Sequence, residues 1–203
     1  MYIPKIYRSE DESLMKQIIN ENAFATLISA KEKLCATHSM FLLMENNEGF
    51  YLETHISKAN PQAKILKDDD EVLCDFLGAH SYISSSWYEK KNVSTWNYEA
   101  VQISGTIKLM NDEELFQHLE NLTLKFENTQ KCPMTVEKMG KEFAEKEMKG
   151  AFGMFIFPTE INIANKLSQN RNELDYENII LNLENSKIEN SLKIGEKMRQ
   201  LRS

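Results

Sequence analysis

The chain has 203 residues, 41% hydrophobic and 27% charged, and carries a net charge of −7. Such a composition describes one well-filled globular domain with room for an appendage, and excludes an intrinsically disordered chain. The acidic balance excludes a general attraction to free nucleic acid, and no apolar run approaches the roughly 18 residues of a membrane span.

The N-terminus, MYIPKIYRSEDES, lacks the charged-then-apolar order of a signal peptide, so a cytoplasmic protein with no membrane partner is expected. Cys35, Cys74 and Cys132 are odd in number and widely spaced, which indicates neither a disulfide frame nor a zinc knuckle.

Ser9 to Glu12 has the cap residue and early acids of a helix start, and Leu14, Met15, Ile18 and Ile19 continue it to Asn22. Phe24–Ser29 and Cys35–Met44 read as a β-hairpin, and a turn at 46–49 leads to a strand over Phe50–His55. Asn60 and Pro61 suit the cap and first position of a helix reaching about Lys67. Its start would face Ser57 and Lys58, an arrangement that suits a phosphate or is simply a strand-to-helix corner with a solvated lysine. Glu71–Leu77 is the next strand, after an acidic turn.

Gly78 to Tyr98, GAHSYISSSWYEKKNVSTWNY, holds both tryptophans, three tyrosines, His80, Ser84 to Ser86 and the pair Lys90 and Lys91. Rings and hydroxyls so crowded can stack on a planar ligand and bind its polar edge, or fill a core or subunit interface. Tyr98–Met110 alternates as a long strand with Gly105 as a bulge. Asn111 to Glu114 caps a helix, and a second helix is expected from Cys132 and Pro133 through Phe143. Gly150–Phe157 and Thr159–Ala164 read as two strands turned at Pro158. The remainder is helical, and Lys187–Ser203 carries five basic residues against two acids. That tail could touch a nucleic-acid backbone or dock on its own domain or a partner subunit.

No Gly-x-Ser-x-Gly, P-loop or His-Glu-x-x-His motif is present. His38, His55 and His80 each lie on or beside an expected strand; convergence would allow a metal or haem iron, but their spacing argues for hydrogen bonding at strand ends. No catalytic residue and no metal ligand is assigned.

Seven blocks carry a resemblance: MYIPK (Met1–Lys5), ATH (Ala36–His38), HISKANPQ (His55–Gln62), GAHSYIS (Gly78–Ser84), SWY (Ser86–Tyr88), TWNY (Thr95–Tyr98) and KLSQNR (Lys166–Arg171). In this order, over residues 1–183, the chain resembles the PaiB family of negative transcriptional regulators. That family is similar to the FMN-binding split-barrel proteins.

The resemblance implies an α+β fold: an antiparallel Greek-key barrel of about six to seven strands. It would comprise residues 1–166 with helices inserted at about 111–148, and a helical extension over 167–203. It implies a homodimer with an FMN site between subunits, haem being the alternative cofactor. Thr54, Ser57 and Lys58 would lie near the FMN phosphate; His80, Tyr82, Ser84, Ser86 and Trp87 would line the flavin ring or dimer contact; Lys166 and Arg171 would approach from the last strand.

The sequence departs from the family where Ser57 and Lys58 replace Ala-Arg, Ser85 and Ser94 replace prolines, and Asn165 replaces tryptophan. Lys58 keeps the charge without arginine's bidentate fork. The expected function is a ligand-binding regulator, with DNA or a regulatory protein as partner. The alternatives are a flavin-dependent oxidoreductase acting on a small cytosolic substrate, a haem-handling protein, and a barrel that binds no cofactor.

Overall fold

The structure, a computed structural model, describes residues 1–47 and 49–202. Glu48, in the expected turn at 46–49, and Ser203, at the end of the basic stretch, lie outside the described residues. The strands are β1 (Arg8–Ser9), β2 (Phe24–Ser29), β3 (Cys35–Asn46), β4 (Gly49–Ser57), β5 (Glu71–Ile83), β6 (Thr95–Leu109) and β7 (Ala151–Lys166). The helices are α1 (Glu12–Glu21), α2 (Asp112–Glu127), α3 (Val136–Met139), α4 (Lys141–Met148), α5 (Glu173–Glu184) and α6 (Glu189–Arg202).

The strand order β1-β7-β4-β3-β2-β5-β6, with β6 also paired to β7, closes six strands into an antiparallel barrel and leaves β1 outside. β4 and β5 follow one another in sequence but are separated in the sheet by β3 and β2, a long connection of Greek-key type. Among the described residues, no helix is long and apolar enough to cross a membrane.

By internal contacts the chain divides into two compact units, and the division falls within β5, β6 and β7. The first comprises Met1–Asn22, Phe76–Gln102 and Asn162–Ser203. Its helix α1 is capped by Asp11, whose carboxylate accepts from the Ser13 and Leu14 N–H groups. Ser9, the expected cap, lies in β1, and its hydroxyl accepts from the Asp11 N–H. Helices α5 and α6 build an apolar core from Ile179, Ile180, Leu183, Ile194 and Met198 against Ala79 and Ile83. Tyr176 lies fully buried among them, its hydroxyl donating to the Met198 carbonyl at 2.7 Å.

The second unit comprises Ala23–Asp75 and Ile103–Ile161. The expected hairpin is present with Phe24 opposite Met40 and Ile28 opposite Ala36. Leu27, Phe41, Leu52, Thr54, Met154 and Ile156 are fully buried. Outward-facing Phe24, Thr26 and Ile28 on β2 meet Met40, His38 and Ala36 on β3, with Asp75 and Leu73 opposite Thr26 and Ile28 on β5. Helix α2 begins with a complete capping box between Asn111 and Glu114. It can lie against β7 because Gly153 has no Cβ; one there would come within 2.7 Å of the Leu115 and Met110 side chains.

Three expectations are corrected. The helix from Pro61 is a 3₁₀ turn ending at Lys64, because the chain then enters the acidic turn, where the Asp70 carboxylate binds the Lys67 N–H and the Asp69 N–H donates to the Ile107 carbonyl. The helix expected from Cys132 to Phe143 breaks at Gly140, whose φ of 88° interrupts it, leaving α3 and α4. Pro158 does not turn two strands: β7 runs through it, and it falls between the segments paired with β4 and with β1, so its missing N–H breaks neither ladder. Glycine at 105 also permits close approach of backbone, since a Cβ there would stand 2.6 Å from the Phe157 carbonyl oxygen.

Candidate functional site

The ten residues expected around a ligand divide between the two units. Thr54, Ser57 and Lys58 belong to the second, and His80, Tyr82, Ser84, Ser86, Trp87, Lys166 and Arg171 to the first.

In the second unit, Thr54 points into the barrel interior. It is fully buried, and its hydroxyl donates to the Met40 carbonyl at 2.7 Å and lies 3.0 Å from the Ser39 hydroxyl. Ser57, the last residue of β4, and Lys58 just beyond it are exposed. The Lys58 backbone is pinned by an N–H bond to the Gly150 carbonyl, and the Ser57 hydroxyl accepts from the Ala59 N–H. The following 3₁₀ turn is too short to carry a macrodipole, so attraction for an anion rests on the Lys58 ammonium and the Ser57 hydroxyl. Lys58 borders an open cleft of about 580 Å³ with Asp112, Glu113, Phe116, Lys141 and Glu145.

In the first unit, His80, Tyr82 and Trp87 share a second cleft of about 470 Å³ with Trp96. Extension of β5 to Ile83 explains the grouping: His80 and Tyr82 point to the same side of one strand, and Trp96 is the second residue of β6. Trp96 is 52% exposed, tilted at 36° to His80 and edge-on to Tyr82, each with ring centres 6.1 Å away. The His80 Nδ1 lies 2.9 Å from the Gly78 carbonyl, which fixes the ring. Asn182, Ile188, Asn190 and Ser191 of the α5 and α6 region also line it. Ser84 and Ser86 do not line this cleft: their hydroxyls meet each other at 2.8 Å, and Ser84 caps the 3₁₀ turn Ser85–Trp87. Lys166 and Arg171 sit instead among Tyr7, Tyr88 and Tyr98.

The histidines do not converge. His38 stacks on Phe24 with ring centres 5.7 Å apart, while His55 meets a histidine that sequence reasoning passed over, His118. Buried Glu53 accepts from His118 Nδ1 at 3.1 Å, and His118 Nε2 lies 3.0 Å from His55 Nδ1. With Glu53 ionised this order fixes the tautomers: His55 donates to His118 and keeps its own Nε2 as an acceptor. Burial first, and His118 second, lower the His55 pKa to about 4, so the ring is neutral at pH 7. The available signal was a histidine on the apolar face of α2, at helical spacing with Leu115 and Leu122. Among the described residues, no group of three His, Cys, Asp or Glu side chains is placed to hold a metal ion.

Four of the five basic side chains at the C-terminus are engaged by carboxylates. Lys193 pairs with Glu189, Lys197 with Glu99, Arg199 with Glu184 and Glu177, and Arg202 with Glu173. The tail therefore offers a phosphate backbone little unspent charge.

Barrel closure, the external strand and the helical arrangement define a split-barrel protein of the kind found in flavin- and haem-binding structures. The family described as "Putative FMN-binding domain" matches residues 1–161. The chain belongs to this FMN-binding domain family, on its PaiB branch.

It is 36% identical over 199 residues to protease synthase and sporulation protein PAI 2 of Bacillus subtilis (strain 168), covering 98% of this chain and 96% of that one. It is 28% identical over 150 residues to the uncharacterized Saccharomyces cerevisiae protein YKL070W, covering 61% of this chain and 88% of that one. In fold it is similar to the flavocytochrome Anf3 of Azotobacter vinelandii, with TM-score 0.61, 15% identity, and coverage of 87% and 78% of the two chains. A FAD and heme binding protein of Mycobacterium smegmatis gives TM-score 0.59 at 15% identity, covering 79% of this chain and 73% of that one.

Proposed function

We propose that the protein is a homodimeric regulator of PaiB type that binds FMN or a related planar, phosphate-bearing ligand. The observation that carries this reading is the cleft lined by His80, Tyr82, Trp87 and Trp96 together with Asn182 and Asn190. Open aromatic faces suit an isoalloxazine ring, and the amides suit its polar edge, so the residues present fit the group. When bound, flavin supplies electron-transfer chemistry that the side chains do not. The cleft residues would stack and orient it; in the second unit, Ser57 and Lys58 are a separate candidate for holding a phosphate.

The outer β2/β3/β5 face of the second unit favours a second copy of the chain as partner. Phe24 is 67% exposed at the start of β2 opposite Met40, and Ile28 and Leu73 lie further along the same face. With the basic tail largely paired, regulation through a ligand-dependent protein contact is favoured over direct DNA binding. Fluorescence titration with FMN tests the ligand: saturable quenching of flavin and tryptophan emission at micromolar concentration is expected, and its absence removes the flavin reading. Sedimentation equilibrium tests the dimer, and a promoter-shift assay at low salt tests DNA contact.

One observation favours a second reading, in which a haem iron is the ligand. His55 offers Nε2 with Nδ1 already anchored through His118 to Glu53, the support that metal-bound imidazoles commonly have. A Soret band on haemin titration, lost in His55→Ala, is its test.

A further inference from the structure

Lys166 and Arg171 are two cations that meet no carboxylate among the described residues. Lys166, the last residue of β7, donates to the Thr95 hydroxyl at 2.6 Å and lies within 6.0 Å of the ring centres of Tyr7 and Tyr98. The guanidinium carbon of Arg171 stands 4.6 Å from the ring centre of Tyr88. Burial first, and then Arg171, lower the Lys166 pKa, which places the two cations within electrostatic reach of each other. Among the described residues neither side chain meets a carboxylate, whereas Lys193, Lys197, Arg199 and Arg202 of the same unit all do.

A second, independent observation points the same way. Tyr88 is only 8% exposed, and its hydroxyl is buried without a hydrogen-bond partner; the Arg171 Nε is buried and unpartnered as well. Tyr7 joins the group electrostatically: burial raises its pKa, Arg171 lowers it and Tyr88 raises it. Buried donors are ordinarily satisfied, and like charges are ordinarily kept apart or neutralised. Two cations and two unspent donors set among tyrosine rings suit an anion.

We propose that Lys166, Arg171 and Tyr88 form a binding site for the dianionic phosphate of a phosphomonoester, with the rings of Tyr7 and Tyr98 as its walls. A dianion matches both positive charges, where a carboxylate would match one. Lysine provides a point charge and arginine a planar fork, the combination used for phosphate oxygens. The site stands on the first unit alone and does not depend on the flavin reading. The phosphate belongs either to FMN itself or to a second phosphorylated metabolite.

The test is titration of the full chain, dialysed free of phosphate, with inorganic phosphate, followed by calorimetry and by thermal unfolding. Saturable binding that raises the melting temperature is expected, weakened about tenfold or more in Lys166→Gln and in Arg171→Gln, the scale for losing a charge-assisted hydrogen bond. Without phosphate these two variants should unfold no earlier than wild type, because each removes an uncompensated charge, and Tyr88→Phe should weaken phosphate at unchanged stability. Lack of saturable binding overturns the proposal, as does unchanged phosphate affinity in variants that are destabilised, which would make the cations structural. Competition experiments identify the source: FMN that displaces phosphate while riboflavin does not assigns the site to the flavin's own phosphate. Simultaneous binding of FMN and phosphate assigns it to a second metabolite.

Discussion

The imidazole of His55 is held 3.0 Å from that of His118, which in turn binds buried Glu53, two residues from His55 on the same face of β4. The relay makes the second unit sensitive to acid. Unfolded, His55 takes a proton below about pH 6.5; folded, it does so only near pH 4, where burial and His118 have placed its pKa. Between those values the unfolded chain binds more protons, so stability is full above about pH 6.5 and falls as the pH drops towards 4. Urea denaturation across this window should show wild type losing up to about 3 kcal/mol more than His55→Gln. Parallel pH profiles would dismiss the relay as an acid-labile element.

Glu99 is 2% exposed and held by Lys197 at 2.7 Å. Burial raises its pKa, with Lys197 acting in the opposite direction. Removing the partner leaves a buried, unpaired carboxylate, so Lys197→Met should lose about 3 kcal/mol at pH 7. A group with a raised folded pKa loses stability as the pH rises through that value, so the deficit should shrink as the pH falls towards the ordinary carboxylate range. A deficit independent of pH would place the effect in packing.

A methyl group at residue 105 would collide with a backbone carbonyl, which cannot swing aside as a side-chain end can. Gly105→Ala is expected to destabilise by about 1–3 kcal/mol through displacement of β7 at Phe157. Gly150→Ala, where the nearest neighbour is 3.6 Å away, provides the control in the same chemical-denaturation series.

If FMN binds through Ser57 and Lys58, Lys58→Ala should weaken it by about 1–3 kcal/mol, the scale of one charged hydrogen bond, read by flavin fluorescence. An unaltered affinity moves the flavin phosphate away from this corner, and a parallel measurement on Lys166→Gln shows whether it lies with Lys166 and Arg171. In the same titrations Trp96→Phe should remove most of the flavin-dependent tryptophan quenching, since Trp96 is the more exposed tryptophan of the cleft.

Local signals were legible and long-range ones were not. The capping box at Asn111 and Glu114 and the hairpin of β2 and β3 are written in adjacent residues, and both are present. Pro158 misled because proline ends a strand only where a ladder needs its N–H. The turn after Pro61 stopped early because Asp70, three residues beyond Lys67, captures a backbone N–H that a helix would have used. For the candidate site, the stretch Gly78–Tyr98 announced its rings, but Asn182 and Asn190, which line the same cleft, come from far downstream. His118 was invisible as a partner of Glu53 because 65 residues separate them in the chain.

Helices α5 and α6 are clasped at their ends. The Arg202 guanidinium covers the ring of Tyr176 at 3.6 Å and also binds Glu173 and the Arg171 carbonyl, while Tyr176 reaches back to Met198. The last helix is thus a wall of the first unit rather than a detachable arm. Cutting the chain after Glu184 would strip Ile194 and Met198 from the core and release Arg171 from its brace. Loss of any activity in such a truncation would report collapse of the first unit, whatever the tail contacts. Charge reversal at Lys187, which has no carboxylate partner among the described residues, probes the surface while leaving that wall standing.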